Sequence, residues 1–375
     1  MHTAIFGKTG LKVSKLGFGT MRLPIAEGPE VAGRRDDLDT AAELVAYGID
    51  HGITYVDSAF GYCGERSEIA VGMALKGRRD RVTLSTKLPM WRVESADDFP
   101  RFLERQLEKL DTDHIDCYHF HALNAAHFHD RVLKFKLIDL AQKYIDQKMI
   151  RHLAFSFHDT VALMKEIIDT QAFESVLCQY NLLDRTLEEG IAYAASKGLG
   201  VAIMGPVGGG RLAFQEGVFE RAGNGCSTPE LALRFVLNNP NVTLALSGMG
   251  TREMVDDNIR VASGDIALSA AEMAAIETIQ KRCAELKNIY CTGCAYCQPC
   301  PKEVRIPDVM LSLIYRKVYG LTSASANYYA QIGDRFHPGR PASACVGCGR
   351  CEKKCPQKLP IRERLKEAAA IFEAK

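Results

Sequence analysis

Two hydrophobic rhythms alternate along the chain between residues 15 and 265. Short apolar runs of strand character occur at 15–20 (KLGFGT), 53–58 (ITYVDS), 82–87 (VTLSTK) and 114–121 (HIDCYHFH). Four more follow at 152–156 (HLAFS), 175–180 (SVLCQY), 200–206 (GVAIMGP) and 242–248 (VTLALSG). Between them, stretches such as 39–52, 97–111 and 228–240 place apolar residues three and four apart, the spacing of a helix with one buried face. Ser227-Thr228-Pro229-Glu230 is a helix start signal. Eight strands alternating with seven or eight helices over about 250 residues predict a (β/α)8 barrel. A doubly wound sheet is the alternative, but it calls for a Gly-x-Gly-x-x-Gly turn after an early strand, and the sequence has none. The first fourteen residues hold two short β-like runs around Lys8-Thr9-Gly10 and read as a hairpin closing the barrel floor.

The rhythm changes beyond residue 266. Residues 269–283 look helical, as do Pro307 to Tyr319 and the terminal stretch 361–375, whereas Leu321 to Pro341 is polar and weakly patterned. The boundary is placed near residue 285, giving a barrel over 1–285 and a small, mostly α-helical domain over 286–375. With no Gly/Ser linker between them, the small domain is expected to pack on the barrel.

Composition narrows the function. A net charge of +1 gives no general reason to bind nucleic acid or an anionic membrane. The start, MHTAIFGKTG, lacks a basic segment followed by an apolar one, and no apolar run approaches the roughly 20 residues of a membrane span. Cys63, Cys117, Cys178, Cys226 and Cys283 are scattered and read as small buried hydrophobes. A cytoplasmic location is expected, where thiols stay reduced.

The other eight cysteines form two tight runs. One is Cys291, Cys294, Cys297 and Cys300, followed by Pro301; the other is Cys345, Cys348, Cys351 and Cys355, followed by Pro356. Three cysteines spaced two residues apart let one loop wrap three corners of a cubane, and a following Cys-Pro leaves the loop toward a second cluster. The runs resemble a two-cluster bacterial ferredoxin module. Zinc and disulfides are the competing readings. Zinc sites usually pair Cys-x-x-Cys units across a longer gap, and nothing here looks secreted. Two [4Fe–4S] clusters with crossed ligation are expected, one on Cys291, Cys294, Cys297 and Cys355, the other on Cys345, Cys348, Cys351 and Cys300. Cys300 follows after two residues where the pattern has three, so its return to the first cluster, or its being left free, stays open.

In a barrel enzyme, chemistry sits where strands end. The runs end on Asp57, Lys87, His121, Ser156, Gln179, Gly205 and Ser247, with Tyr62 in the loop after Asp57. Here the chain resembles the aldo-keto reductases over about residues 4 to 265. Phe6 to Ser14 and Leu16 to Met21 are similar to that family's hairpin and first strand. Val56 to Tyr62 resembles its Asp and Tyr segment, Ser85-Thr86-Lys87 its lysine strand, and Ile115 to His121 its histidine strand. With the cysteine tail, the chain resembles the subgroup that carries a ferredoxin-like domain.

The resemblance implies that Tyr62 is the general acid/base, Lys87 the cation that lowers its pKa, Asp57 the holder of Lys87, and His121 the group orienting the substrate oxygen. His119 reads as a packed interior histidine. The resemblance also implies a nicotinamide site. Gly19, Thr20, Met21 and Asp57 lie on its rim, Ser156 and Gln179 hold the amide, and Tyr180 stacks on the ring. Phe157 stands where the family has Asn. Gly205, Pro206, Val207, Gly208 and Gly210 match the pyrophosphate loop, whose glycines allow close backbone approach. Ser247, Gly248, Met249, Asp257 and Asn258 match the adenosine end. The family's two basic residues for the 2′-phosphate align with Gly248 and Met254, and Arg252 nearby is a substitute cation. NADP(H) is favoured over NAD(H).

The leading reading is hydride transfer between a nicotinamide and a small carbonyl or alcohol, with two clusters for electron transfer or redox sensing and a redox partner protein. The alternative is an iron–sulfur electron-transfer or docking protein on a barrel that has little or no carbonyl reductase activity.

Overall fold

The computed structural model describes residues 1–25, 36–208, 212, 226–285, 289, 291, 297–334, 337–355 and 358–374. Gly210 and Cys294, both singled out above, lie outside the described residues. The chain divides into two compact units, Met1–Gly210 with Ala232–Leu268, and Arg211–Leu231 with Ser269–Lys375.

The first unit begins with the antiparallel hairpin β1 (Thr3–Ile5) and β2 (Lys12–Ser14). Eight parallel strands follow: β3 (Leu16–Gly19), β4 (Tyr55–Asp57), β5 (Thr83–Leu88), β6 (Ile115–Leu123), β7 (Ile150–Phe157), β8 (Ser175–Gln179), β9 (Gly200–Met204) and β10 (Leu244–Gly248). They close into a barrel in chain order, with β10 returning to β3. The helices between them are α1 (Asp36–Asp50), α2 (Ser67–Leu75), α3 (Asp98–Leu110), α4 (Ala125–His127), α5 (Leu137–Asp146), α6 (Val161–Asp169), α7 (Glu188–Ser196), α8 (Thr228–Leu237) and α9 (Arg252–Ser263). The expected (β/α)8 barrel is present. Ser227 caps α8 as its signal predicted, its Oγ accepting from Glu230 N at 3.3 Å.

The hairpin supplies the barrel floor. Phe6 is fully buried in a cluster with Tyr55, Cys117, Leu177 and Leu244, one from each of four strands. A Cβ on Gly200 would stand 2.4 Å from the Phe6 ring, so glycine is what lets the floor close there. Burying a phenylalanine contributes about 1.5–3 kcal/mol.

Parallel register fixes which residues face inward. Gly19 pairs with Asp57 and Asp57 with Ser85; Lys87 pairs with His119 and His119 with Ala154. Side chains alternate along strands, so the floor residues Tyr55, Cys117 and Leu177 put Asp57, His119, His121 and Gln179 on the same inner face, above them. Helix α3 shows how the outer layer is set. Its buried positions, Phe99, Phe102, Leu103, Gln106, Leu107 and Leu110, follow the 3.6-residue period. The polar member, Gln106, donates to Lys87 O at 3.1 Å and accepts from Tyr118 Oη at 2.7 Å. It thereby satisfies buried groups behind the strand that carries Lys87.

The second unit contains α10 (Ala270–Glu285), α11 (Ile306–Leu313), α12 (Thr322–Ala330), α13 (Arg350–Lys354) and α14 (Ile361–Phe372). Helix α11 continues into one π-helical turn, Ile314–Val318. Helix α12 falls where the sequence looked polar and weakly patterned. Two tyrosines anchor it: Tyr328 Oη donates to Asp308 at 2.8 Å, and Tyr329 Oη donates to Glu373 at 2.5 Å while its ring stacks on Phe372. Tertiary hydrogen bonds of this kind leave no apolar period to read.

Candidate functional site

The C-terminal ends of β4, β5 and β6 converge on a buried polar set. Lys87 is 1% exposed and Asp57 3%. Lys87 Nζ donates to Asp57 Oδ2 and to the Ser58 carbonyl, each at 2.6 Å, and Ser85 Oγ donates to Asp57 Oδ1 at 2.5 Å. The ammonium lies 4.8 Å from the centroid of the half-buried Tyr62 ring. That ring meets His121 edge-on at 5.9 Å. The structure thus brings Asp57, Tyr62, Lys87 and His121 together.

Burial dominates the electrostatics. It pushes the Tyr62 phenol above the ordinary tyrosine value; the Lys87 charge pulls the other way and is outweighed. The sequence argument gave the lysine's pull the larger weight, and desolvation reverses that balance. Burial also opposes the Lys87 ammonium, but attraction to Asp57 and Tyr62 together holds its pKa above the ordinary lysine value. His121 is held well below the ordinary histidine value by burial, and next by Lys87. His119 falls to about 3 for the same two reasons. His119 is fully buried on the inner face, and neither ring nitrogen has a hydrogen-bond partner. The Phe155 carbonyl exerts a small opposing pull on it without meeting hydrogen-bond geometry.

The other rim positions are less uniform. Ser156 Oγ accepts from Ala122 N at 2.7 Å, so it pins the irregular turn of β6 just after His121, where Ala122 takes a φ of 52°. Gln179 donates to Asp184 at 3.1 Å. Tyr180 departs from its expected place. It is 2% exposed, stacks on Phe235 of α8 at 5.4 Å, and donates to Glu188 at 2.8 Å. Alternation explains this: with Gln179 on the inner face, the next residue projects into the helix layer.

Gly205 takes a φ of 63°, a conformation glycine adopts without strain, and a turn closes from Gly208 N to its carbonyl at 2.9 Å. Pro206 and Val207 lie within that turn. Thr20 is buried and donates to Asp57 O at 2.9 Å, whereas Met21 is 63% exposed. Gly19 and Gly248 are register partners, so the seam between β3 and β10 presents backbone without side chains. Ser247 Oγ accepts from Asn258 Nδ2 at 2.9 Å, and Met249 is buried. The Asp257 side chain is 73% exposed and lies 3.6 Å from Arg260. Arg252 faces α1, 3.7 Å from Glu43 and 5.2 Å from the Tyr47 ring centroid.

Three residues were missed by sequence reasoning. The chain's sole tryptophan, Trp91, lies 4.9 Å from the His121 ring and 44% exposed. The stem of the exposed Arg22 lies 3.6 Å from where a Cβ on Gly248 would stand, so a cation does flank the seam, from the turn Thr20–Arg22 that follows β3. Asn181, 2% exposed, donates to the Gly205 carbonyl at 3.0 Å and ties the β8 and β9 loops. Only Asn181 had a signal, a polar residue directly after the apolar run 175–180.

In the second unit, Cys297, Cys300, Cys345, Cys348 and Cys351 line one cavity of about 230 Å³. Among the described residues, no three metal-ligating side chains close on a single ion, and the described cysteines form no disulfide. A cavity lined by five cysteines fits an iron–sulfur cluster. Cys300, the cysteine with the short spacing, shares this cavity with the second run. Cys291 and Cys355 are partly buried.

Comparison with known proteins gives the following. A profile described as the Aldo/keto reductase family matches residues 15–281, and one described as a 4Fe-4S dicluster domain matches residues 290–360. L-galactose dehydrogenase of Arabidopsis thaliana is 26% identical over 280 residues, spanning 68% of this chain and 85% of that protein. The holo form of an aldo-keto reductase from Bacillus halodurans superposes with a TM-score of 0.63 at 26% identity, covering 74% of this chain and 96% of that one. An aldo/keto reductase from Klebsiella pneumoniae, solved with NADP and acetate, gives 0.61 at 26% identity, covering 74% and 95%. No helix among the described residues is long and apolar enough to cross a membrane.

Proposed function

The chain belongs to the aldo/keto reductase family of oxidoreductases and carries a 4Fe-4S dicluster domain, and on that premise we propose that it reduces small aldehydes or ketones at the Tyr62 site. The observation that carries this reading is the buried ammonium of Lys87, 2.6 Å from Asp57 and 4.8 Å from the Tyr62 ring. Burial keeps the phenol protonated at neutral pH, so Tyr62 Oη holds the proton that the developing alkoxide takes. As the phenol becomes phenolate, Lys87 supplies the adjacent positive charge, and Asp57 with the Ser58 carbonyl fixes where that charge sits. His121 stays neutral and offers an uncharged N–H to the same oxygen. Trp91 forms an apolar wall beside it. Water is excluded from Lys87 and Asp57, which strengthens each of these interactions.

A bound nicotinamide dinucleotide supplies the hydride. The bare seam at Gly19 and Gly248 and the exposed Arg22 suit its phosphates, with Gly205 to Gly208 beside Asn181. NADP(H) is our preferred form, on the strength of Arg22 and of the NADP carried by the Klebsiella pneumoniae neighbour.

We read the cysteines as holding two [4Fe–4S] clusters with crossed ligation. The first uses Cys291, Cys294, Cys297 and Cys355; the second uses Cys345, Cys348, Cys351 and Cys300. Bound there, they would store and pass single electrons. The cavity brings Cys300 together with Cys345, Cys348 and Cys351, and Cys297 of the first set lines it as well. Residue 285 remains our division between barrel and cluster domain, and the cytoplasm our proposed location, since clusters of this kind need reduced thiols.

Steady-state turnover of small aldehydes with NADPH tests the barrel's role. Tyr62→Phe should lower kcat by about 10²–10⁴-fold while NADPH still quenches Trp91 fluorescence. Turnover within a few-fold of wild type would remove Tyr62 from the mechanism.

A further inference from the structure

The chain's charge nearly cancels, with 47 basic against 46 acidic side chains, so a one-signed patch stands out. From Arg350 to Lys366 there are seven basic residues and two acidic ones, a local net charge of +5. Arg362 pairs with Glu352 at 2.8 Å and Arg364 with Glu363 at 2.7 Å. Arg350, Lys353, Lys354, Lys358 and Lys366 remain exposed, with no side-chain ion pair or hydrogen bond among the described residues.

Their placement is specific. Arg350 and Lys354 line the cysteine cavity. Lys358 and Lys366 line an adjoining open concavity of about 540 Å³ that shares Arg362 with it and contains no cysteine. Glu352 and Glu363 line the same concavity but are held by Arg362 and Arg364, so Lys358 and Lys366 carry positive charge past the cysteines. At the cavity edge, Cys348 is exposed, and Val346 is 63% exposed, an isolated apolar side chain next to Cys345.

We propose that this face docks an acidic one-electron carrier protein, with Val346 and Cys348 at the contact and Arg350, Lys354, Lys358 and Lys366 as its cationic rim. The proposal rests on the reading that Cys345, Cys348, Cys351 and Cys300 hold a cluster. The step is a single electron passing from the reduced cluster to the oxidised carrier, or back, with no bond made and no proton moved. Exposed like charges on one face steer an oppositely charged partner from beyond contact distance and do so less as salt screens them. Residues 345–366 contain no aromatic side chain, which removes the stacking platform that single-stranded nucleic acid uses.

The test uses the full chain purified anaerobically and an acidic plant-type [2Fe–2S] ferredoxin as probe. Affinity is measured by calorimetry, and iron and sulfide are counted on every sample. Binding should weaken on the order of tenfold or more between roughly 20 and 200 mM salt. It should weaken as much again in Lys354→Glu/Lys358→Glu/Lys366→Glu, with iron unchanged. If that variant loses iron, Lys358→Glu/Lys366→Glu replaces it, since those side chains line only the cysteine-free concavity. Full iron with binding that ignores salt and charge reversal overturns the docking surface. Tighter, charge-dependent binding of heparin or phosphatidylserine vesicles than of the ferredoxin overturns the choice of partner. Wild-type protein without iron or sulfide overturns the cluster reading beneath the proposal.

Discussion

The barrel rim and the cysteine cavity handle charge in opposite ways. At the rim, Asp57 and Lys87 are almost wholly withdrawn from water, and each charge is met by a fixed partner at 2.5–2.6 Å. At the cavity and the concavity beside it, Cys348 is exposed, and Arg350, Lys354, Lys358 and Lys366 face solvent with no ion pair among the described residues. Proton chemistry depends on pKa control, which desolvation provides. Electron exchange with a partner depends on access, which burial would prevent. On the reading proposed above, each arrangement serves its own compact unit.

The largest expected effect comes from breaking the buried pair. Lys87→Met leaves the Asp57 carboxylate buried without its cation. Stability should fall by about 3–5 kcal/mol in urea titrations, and carbonyl reduction by about 10²–10⁴-fold. A folded variant with ordinary turnover would show that the rim does not depend on its internal ion pair.

Next is the floor beneath the rim. Phe6→Ala empties the site between the hairpin and Gly200 and should cost about 3–5 kcal/mol. Unlike Lys87→Met, it should leave kcat near wild type at temperatures where the protein is folded. A loss of kcat matching the loss of stability would mean that the floor also positions the catalytic groups.

The pH dependence of stability sharpens the same contrast. His119 drops from 6.5 to about 3 on folding, so the unfolded chain binds a proton that the folded barrel refuses. Its contribution is complete above pH 6.5 and is lost as pH falls from there toward 3. His119→Gln should flatten that decline by about 1.4 kcal/mol per pH unit, leaving the share due to His121. An unchanged acid limb in chemical denaturation would mean the decline has another source.

The smallest effect concerns the cofactor. Arg252 is 59% exposed and turned toward Glu43 and Tyr47, so Arg252→Ala should weaken NADPH only about two- to threefold. Arg22→Ala should weaken it about tenfold, with NADH less affected. The reverse ranking in fluorescence titrations would return Arg252 to the phosphate.

How much could be read beforehand divides along physical lines. The barrel was legible because each strand repeats the same apolar pattern, and because strand ends such as Asp57, Lys87 and His121 break it with polar residues. The hairpin floor and the Ser227 cap were legible for similar local reasons. Helix α12 was not, since its order comes from Tyr328 and Tyr329 reaching distant carboxylates. Tyr180 was misplaced because a motif match carries no inward or outward sense, which only the register of β8 supplies. Arg22 escaped because its relation to Gly248 spans the closing seam of the barrel. The weight of burial over the Lys87 charge on Tyr62 was also out of reach, since desolvation depends on the packed whole.

The central claim is that proton handling belongs to the Tyr62 rim and electron handling to the cysteines. It is tested most directly by measuring NADPH-dependent aldehyde turnover, iron and acid-labile sulfide on one anaerobic preparation of Tyr62→Phe beside wild type. The account predicts turnover lower by about 10²–10⁴-fold with about eight irons and eight sulfides per chain in both proteins. Turnover retained in the variant, or zinc without sulfide in either protein, would contradict it.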